Sequence, residues 1–211
     1  GFLRGVLFCR WLDPKLCWSY ESTSVVARFL PHGPLDPAFA GAGYMLGNRG
    51  RRWHTGPHDE LLEAIVLPGN QIAAAGWAAG ETYDDERTIV LQLRPDGMMD
   101  ETFGTGGHVL SPPDSRAGGT KEVLYGIARH GEKLVTCGFS FDRERHIRAL
   151  IKIYGRKGEL ITHMLADARQ LADSDIEYFA KCGVDAFGRI SGAGFTDDEW
   201  AYTDEPDRAL P

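Results

Sequence analysis

Residues 91–110, LQLRPDGMMDETFGTGGHVL, repeat a pattern that the chain already shows at residues 28–46, RFLPHGPLDPAFAGAGYML. The two stretches lie about 64 positions apart. When they are aligned, two glycines, an aspartate and a phenylalanine coincide: Gly33 with Gly97, Asp36 with Asp100, Phe39 with Phe103, and Gly43 with Gly107. Repeats of this length are typical of supersecondary units that stack, because one unit cannot bury its hydrophobic face alone.

A second pattern recurs with a similar period but in a different phase. AIVLPGNQIAAAGW at 64–77 matches GIARHGEKLVTCGF at 126–139, and a looser copy, VDAFGRISGAGF, follows at 184–195. Each copy has two short runs joined by a Gly or Asn turn, and each ends in Gly followed by an aromatic residue. Such a stretch predicts a β-hairpin, in which Gly or Asn supplies the positive φ of the turn.

Two further strands are predicted in each unit. The third lies at 88–93 and at 147–154, where residues alternate and β-branched side chains are frequent. The fourth lies around 108–110 and at 160–165. Four short antiparallel strands per unit of about 60 residues predict an all-β fold made of β-propeller-like blades. The alternative, a β-sandwich, does not explain why the turn sequence repeats.

The predicted organisation is a divergent N-terminal segment at 1–23 followed by repeats over 24–211. The units lie near 59–115, 120–168 and 175–211, with a part unit at 24–46. The chain begins at the third strand of one blade and ends after the second strand of another, so it contains about three blades. A closed ring needs about four or more. We expect either part of a longer ring, which the start at Gly1 favours, or half of a ring made by two copies, since open sheet edges recruit strands.

The stretch RPDGMMDETFGTGGHVL at 94–110 resembles the signature of the delta-60 repeat, a β-propeller repeat of bacterial proteins. In that family a strand ends at Pro-Asp-Gly, and an Asp, a Phe-Gly and a glycine pair follow. The matching residues are Pro95, Asp96, Gly97, Asp100, Phe103, Gly104, Gly106 and Gly107. The other half of that repeat, a Gly-Lys turn before a Val-Val-Ala-Gly strand, resembles 70–76, 132–138 and 188–194.

This resemblance covers about 25–195, although GRKGELITHML at 155–165 lacks the Asp and the Phe-Gly. It implies a scaffold rather than an activity. Since the family is usually found in large surface or secreted proteins, it implies an extracellular or cell-surface location. We expect a non-catalytic interaction or structural module that binds a protein or a glycan. The alternatives are a carbohydrate-binding, lectin-like propeller and a propeller hydrolase or lyase.

Composition excludes several classes of partner. The net charge of −7 over 211 residues counts against nucleic acid, which selects for clustered Lys and Arg. The chain contains no run of about 20 apolar residues, so membrane insertion is not predicted. Four cysteines match no zinc motif: Cys9, Cys17, Cys137 and Cys182. Cys137 lies in an apolar strand and is predicted to be a buried free thiol, whereas Cys9 and Cys17 would be able to pair in an oxidising compartment.

The loops between strands two and three are acidic in every unit, at 78–87, 140–146 and 196–204. Because these loops share one face of a propeller, we expect a rim that contains Asp84, Asp85, Asp142, Asp197 and Asp198. Carboxylates in this arrangement would bind Ca²⁺ or a basic partner. No D-x-D-x-D-G spacing supports calcium, and the alternative is that acidic loops keep the protein soluble.

Trp200 and Tyr202 are predicted to be exposed beside these carboxylates, as a platform on which a sugar ring would stack. Trp77 and Phe139 occupy equivalent positions in two units, which predicts packing between units instead. We predict no catalytic residue, because no nucleophile elbow, P-loop or Rossmann glycine pattern occurs. We predict no metal ligand either, since His54 and His58 are separated by Gly-Pro and cannot share a helix turn.

Overall fold

Strands make up nearly all regular structure in the computed structural model, which describes residues 24–47, 59–79, 86–113, 119–142, 146–165 and 177–196. A 3-10 turn at Pro68–Asn70 accompanies twelve strands: β1 (Val25–Ala27), β2 (Tyr44–Leu46), β3 (Asp59–Val66), β4 (Ile72–Ala79), β5 (Glu86–Leu93), β6 (His108–Ser111), β7 (Gly119–His130), β8 (Lys133–Asp142), β9 (Ile147–Tyr154), β10 (Leu160–Leu165), β11 (Glu177–Val184) and β12 (Ile190–Thr196). The predicted all-β class is confirmed. Within these ranges no helix has the length and hydropathy needed to cross a bilayer.

Two antiparallel meanders of four strands form the middle of the chain. In the first meander β3, β4, β5 and β6 pair in chain order, and in the second β7, β8, β9 and β10 do the same. One parallel bridge, Glu86 with Lys121, joins them into a mixed, open sheet. A hairpin of β1 and β2 precedes them, and a hairpin of β11 and β12 follows.

The strand register explains why Gly precedes an aromatic residue in every unit. Gly76 pairs with Leu61 and Gly138 pairs with Leu124, and a β-bulge follows in the opposite strand each time. A Cβ at either glycine would lie 1.8 Å from a backbone carbonyl oxygen of that strand. Gly194 of the third unit has the same environment, with a distance of 1.7 Å. Only glycine permits this close approach, so the repeated residue marks the bulge.

Two hydrophobic clusters join each unit to the next. The first contains Phe39 from the β1–β2 connection and apolar residues of β3, β4 and β5. The second contains Phe103 from the β5–β6 connection and residues of the second meander such as Leu124 and Tyr154. Phe39 and Phe103 are 0% and 1% exposed. The phenylalanine of the repeated signature therefore packs into the unit that follows it in the chain.

The backbone beside each phenylalanine makes the same contact. The amide of Ala40 donates to the carbonyl of Asp96 at 2.7 Å, and the amide of Gly104 donates to the carbonyl of Lys157 at 2.8 Å. Asp96 and Lys157 occupy equivalent positions after the third strand of their meanders. The same anchor thus links the β1–β2 hairpin to the first meander and the first meander to the second.

Candidate functional site

The predicted acidic rim falls almost entirely outside the described residues. The residues outside the description include the N-terminal segment 1–23 with Cys9 and Cys17, and the histidines His54 and His58. They also include most of the predicted site: Asp84, Asp85, Asp197, Asp198, Trp200 and Tyr202. Asp142 ends β8, where its backbone pairs with Gly119. Within the described ranges, no group of three or more His, Cys, Asp or Glu is arranged to hold a metal ion.

The opposite end of the meanders is described in full. The β3–β4, β5–β6, β7–β8 and β9–β10 connections lie there, and we refer to it as the turn end. A cleft of about 500 Å³ opens at the turn end between the first and second meanders. Residues of all four connections line this turn-end cleft, so both meanders contribute to it.

Four exposed basic residues line the turn-end cleft: Arg129, Lys133, Arg156 and Lys157. Arg156 donates to Glu132 at 3.1 Å, but both side chains are largely exposed, so this ion pair contributes little to stability. The other three cations form no ion pair with another described side chain. The cleft therefore concentrates positive charge in a chain whose net charge is −7.

Asp100 is the buried acidic residue of the cleft, with 8% exposure. One carboxylate oxygen accepts the side-chain amides of Gln71 at 2.9 Å and Gln92 at 3.4 Å. The other accepts the backbone amide of Thr102 at 3.1 Å and its hydroxyl at 2.6 Å. These donors occupy the carboxylate, so Asp100 holds the connection in place instead of offering a free acid to a ligand.

The cleft forms because one connection is shorter than its counterpart. The β5–β6 connection spans 94–107 and carries the repeated signature, whereas the β9–β10 connection spans 155–159. Lys133 is equivalent in register to Gln71, which contacts Asp100. Because the shorter connection has no counterpart of Asp100, Lys133 faces the cleft instead of binding a carboxylate of its own unit.

A second polar cluster lies in the interior, where β7, β9 and β10 meet the first meander. The Lys152 ammonium lies 2.5 Å from one carboxylate oxygen of Glu122, and His163 Nε2 lies 3.0 Å from the other. Lys152 also donates to the hydroxyl of Thr88 in β5 at 3.1 Å. Lys152 and Glu122 are 1% and 0% exposed, so their ion pair joins the meanders out of contact with solvent, whereas His163 at the edge of this buried cluster is 16% exposed.

The surroundings of the buried cluster keep its groups in defined protonation states. Burial alone raises the pKa of Glu122, but the His163 hydrogen bond and the Lys152 charge outweigh burial and hold the pKa below its ordinary value. Burial raises the pKa of Tyr154 to about 12. Its hydroxyl lies 3.3 Å from that of Ser111, across the boundary between the meanders. At neutral pH Glu122 is therefore ionised and Tyr154 is neutral.

A row of aromatic side chains joins the second meander to the β11–β12 hairpin. Ring centroids are 5.7 Å apart for Tyr125 and Phe139, 5.6 Å for Tyr125 and Tyr178, and 5.3 Å for Tyr178 and Phe195. Phe139 is half-buried and contacts Tyr178 of the next unit, as its expected role between units requires. Trp77 is half-buried as well. Phe195 is 61% exposed, so this aromatic row reaches the surface.

Sequence reasoning predicted neither the turn-end cleft nor the buried cluster. The sequence does contain two signals: Lys133 replaces Gln71 between the repeats, and the signature is lost at 155–165. A third appears once the register is known, since an acidic residue recurs at one position of the first strand of each unit: Asp59, Glu122 and Glu177. These signals become interpretable only when the strand pairing is known.

No protein-family model matches the chain, and no curated protein is significantly similar to it. The function is therefore inferred from the geometry and charge of the turn-end cleft, the buried cluster and the aromatic row.

Proposed function

We propose that the chain is a non-catalytic interaction module built from β-propeller blades of the delta-60 type, and that the turn-end cleft binds a negatively charged ligand. Two observations support the blade arrangement: the four-stranded meander occurs twice, and the same phenylalanine anchor joins successive units. The resemblance to the delta-60 signature supports placing the module in a bacterial surface or secreted protein.

The observation that carries the proposed binding function is the charge of the cleft. Arginine and lysine donate several hydrogen bonds to carboxylate, sulfate or phosphate oxygens. Cations that converge in a groove also raise the local concentration of anions. Of the two acidic residues that line the cleft, Asp100 is occupied by its donors and Glu132 is paired with Arg156. A ligand with several acidic groups therefore fits this surface better than a neutral or basic one.

The position of the perturbed acids supports binding rather than catalysis. An acid or base of a catalytic site has to reach its substrate, and its pKa is commonly shifted by its surroundings. Glu122 and Tyr154 have shifted pKa values, yet both are buried within the sheet. The pKa values of the exposed Asp96 and the half-buried Asp185 are lowered, but these carboxylates accept hydrogen bonds from backbone amides of their own turns. The cations of the cleft, in contrast, are exposed. This separation supports an interaction module over the hydrolase or lyase alternative.

The proposed ligand is an acidic segment of a partner protein. A cleft of about 500 Å³ lies within the range of small-ligand sites, so it would hold two or three residues of such a segment. Acidic residues close together in an extended segment would be able to reach cations on both walls of the cleft. Because part of the wall is formed by each meander, binding would also strengthen the contact between them.

The proposal is tested by titrating the protein with fluorescein-labelled hexaglutamate and recording fluorescence anisotropy. We expect saturable binding that weakens when salt rises from about 50 mM to about 500 mM. Lys133→Gln, which installs the residue found at the equivalent position 71, combined with Arg129→Gln, should weaken binding about tenfold. Arg87→Gln/Arg148→Gln is the matched control, because it also removes two positive charges but near the first residues of β5 and β9, at the opposite end from the turn end.

Absence of binding, or an equal loss in the Arg87→Gln/Arg148→Gln control, would contradict the proposed site. An oligogalacturonate of the same charge separates two sources of acidic groups. Stronger binding of hexaglutamate supports a protein partner, and stronger binding of the sugar supports an acidic glycan.

The second candidate function is carbohydrate binding, and the aromatic row favours it. Aromatic faces stack on the apolar face of sugar rings, and Phe195 ends this row at the surface. Trp200 follows Phe195 closely in the chain. Glycan binding that Trp200→Ala and Phe195→Ala both abolish would support this function. A glycan array without any binding would count against it.

A second copy of the chain is the partner proposed for the open sheet edges. Among the described strands, β12 pairs only with β11 and β1 pairs only with β2. These hairpins correspond to the two complementary halves of one blade, so two copies would complete six blades with two-fold symmetry. Light scattering over a concentration series should then give the mass of a stable dimer. A stable monomer would contradict the shared blade.

A further inference from the structure

Two cysteines from different units meet between the second meander and the β11–β12 hairpin. Cys137 lies in β8 and is fully buried, which confirms the predicted buried free thiol, and Cys182 lies in β11 and is half-buried. The Cys182 thiol donates to the carbonyl of Val135 in β8 at 3.5 Å. Its proximity raises the pKa of the Cys137 thiol. The two thiols therefore lie near each other at the boundary between units.

Gly126 in β7 gives a second, independent measure of this proximity. A Cβ at Gly126 would lie 2.6 Å from the sulfur of Cys137 and 3.1 Å from the backbone nitrogen of Cys182. Both cysteines thus border the same small space, which any other residue at position 126 would fill. The absent side chain keeps the approach between the two thiols open.

We propose that Cys137 and Cys182 form an intramolecular disulfide when the protein meets a low-molecular-weight disulfide as oxidant. The bond would fasten the β11–β12 hairpin to the second meander. The hairpin forms a sheet of its own, and side-chain contacts hold it in place, including the ion pair of Lys181 with Glu63 and the ring contact of Tyr178 with Tyr125. A covalent link would make the docking of this unit depend on redox conditions.

The reaction begins at Cys182, which is the more accessible thiol. Its thiolate attacks one sulfur of the oxidant, breaks the sulfur–sulfur bond and releases one thiolate, which takes up a proton. The Cys137 thiolate then attacks the Cys182 sulfur, forms the protein disulfide and displaces the second small thiolate, which is protonated in turn. Two protein thiols are oxidised to one disulfide, and the oxidant is reduced to two small thiols.

The second step is expected to be slow near neutral pH. In the reduced protein the contact with Cys182 and burial raise the pKa of the Cys137 thiol. Once Cys182 carries the oxidant, burial and the negative charge of Glu63 still raise this pKa, while Lys181 opposes them. Since the thiolate is the attacking species, closure of the disulfide should accelerate as pH rises.

The test uses a Cys9→Ser/Cys17→Ser variant, which retains only the proposed pair, incubated with oxidised glutathione. We expect the loss of both free thiols, no retained glutathione and no cross-linked dimer on a non-reducing gel. Melting should occur on the order of 5 °C higher than in the reduced protein, and a reductant should reverse the shift. In a matched variant that also carries Cys137→Ala, Cys182 should keep one glutathione.

Stable glutathionylation of the protein that retains both cysteines, or cross-linking between chains, would overturn the proposal. If the background variant does not fold, the unaltered chain supplies the same answer after oxidation, proteolysis and mass spectrometry. A joined peptide pair containing Cys137 and Cys182 supports the bond. Recovery of the two peptides as separate thiols contradicts it.

Discussion

At the joint between the β1–β2 hairpin and the first meander, Arg28 bridges the two units at the turn end, whereas the joint between the two meanders opens into a cleft there. Both joints share a buried phenylalanine, Phe39 or Phe103, and the same backbone hydrogen bond beside it. One position that differs between the joints is Arg28 in the first and Gln92 in the second. These two positions are equivalent because their backbone amides donate to the carbonyls of the equivalent glycines Gly43 and Gly107, at 3.0 Å and 2.9 Å.

Arg28 makes three contacts, of which the one with Pro95 crosses the first joint. Its guanidinium donates to Asp36 at 2.7 Å and to the carbonyl of Pro95 at 2.5 Å, and it lies 4.8 Å from the ring centre of Phe39. Gln92 reaches Asp100 of its own unit, at 3.4 Å. The phenylalanine anchor thus holds successive units together in both joints, whereas the shorter β9–β10 connection and Gln92 in place of Arg28 leave the second joint open to a ligand.

Removing an anchor should have the largest effect on either joint. Phe103→Ala is expected to lower the free energy of unfolding by about 3–5 kcal/mol, because a buried aromatic ring is lost and a cavity remains. Phe39→Ala should cost a similar amount. Urea denaturation measures both, and a cost below about 1 kcal/mol for Phe103→Ala would show that the proposed repeat register is wrong.

The joint between the two meanders also contains the buried cluster of Glu122, Lys152 and His163. Lys152→Met should cost about 3–5 kcal/mol, because Glu122 would remain buried without its cation. Adding Glu122→Gln should recover part of this loss. Chemical denaturation of the three proteins checks the order, and a double variant no more stable than Lys152→Met would contradict the account.

The same cluster predicts how stability depends on pH. The pKa of Glu122 is lower in the folded chain than its ordinary value of 4.5, so its stabilising contribution is present above that value and is lost as pH falls below it. In Glu122→Gln this part of the acid dependence should disappear. Unfolding measured between about pH 3 and pH 7 tests the prediction, and identical profiles for both proteins would refute it.

Substitution of Arg28, which crosses the first joint, should have a moderate effect on the free energy of unfolding. Arg28→Gln, which copies the second joint into the first, is expected to cost about 1–2 kcal/mol through lost hydrogen bonds to Asp36 and Pro95. Gln92→Ala should cost less than about 1 kcal/mol, since one long hydrogen bond is lost. Equal costs in thermal unfolding would remove the proposed difference between the joints.

The smallest effect on stability is expected at the rim of the cleft. Arg156→Gln breaks an exposed ion pair with Glu132, so stability should change by less than about 0.5 kcal/mol. Binding of hexaglutamate should nevertheless weaken. A variant that loses stability but binds normally would show that Arg156 belongs to the structure and not to a binding site.

The strands could be predicted from the sequence because their signals are local. A strand predicted at 88–93 is found at Glu86–Leu93, and the one predicted at Ile147–Tyr154 has those bounds. Alternation and Gly turns suffice for such elements. The contacts at the joints could not be predicted from local signals, because the role of a residue there depends on its neighbours in the next unit.

The candidate site could not be predicted in this way. Arg129 and Lys157 are distant in sequence and become neighbours only through the pairing of β7, β8 and β9. Glu122 and Lys152 are charged residues in alternating strands, a pattern that normally indicates exposure. Their burial depends on the fact that each neutralises the other, which no local pattern records.

Binding of anions at the turn-end cleft is tested most directly by NMR. Hexaglutamate is titrated into ¹⁵N-labelled protein, and the amide signals are followed. If the cleft binds anions, the largest shifts are expected at residues of the turn-end cleft, such as Gly131, Lys133 and Lys157, with little change at Arg28 and Asp96 in the first joint. No shifts, or shifts of equal size in both joints, would contradict it.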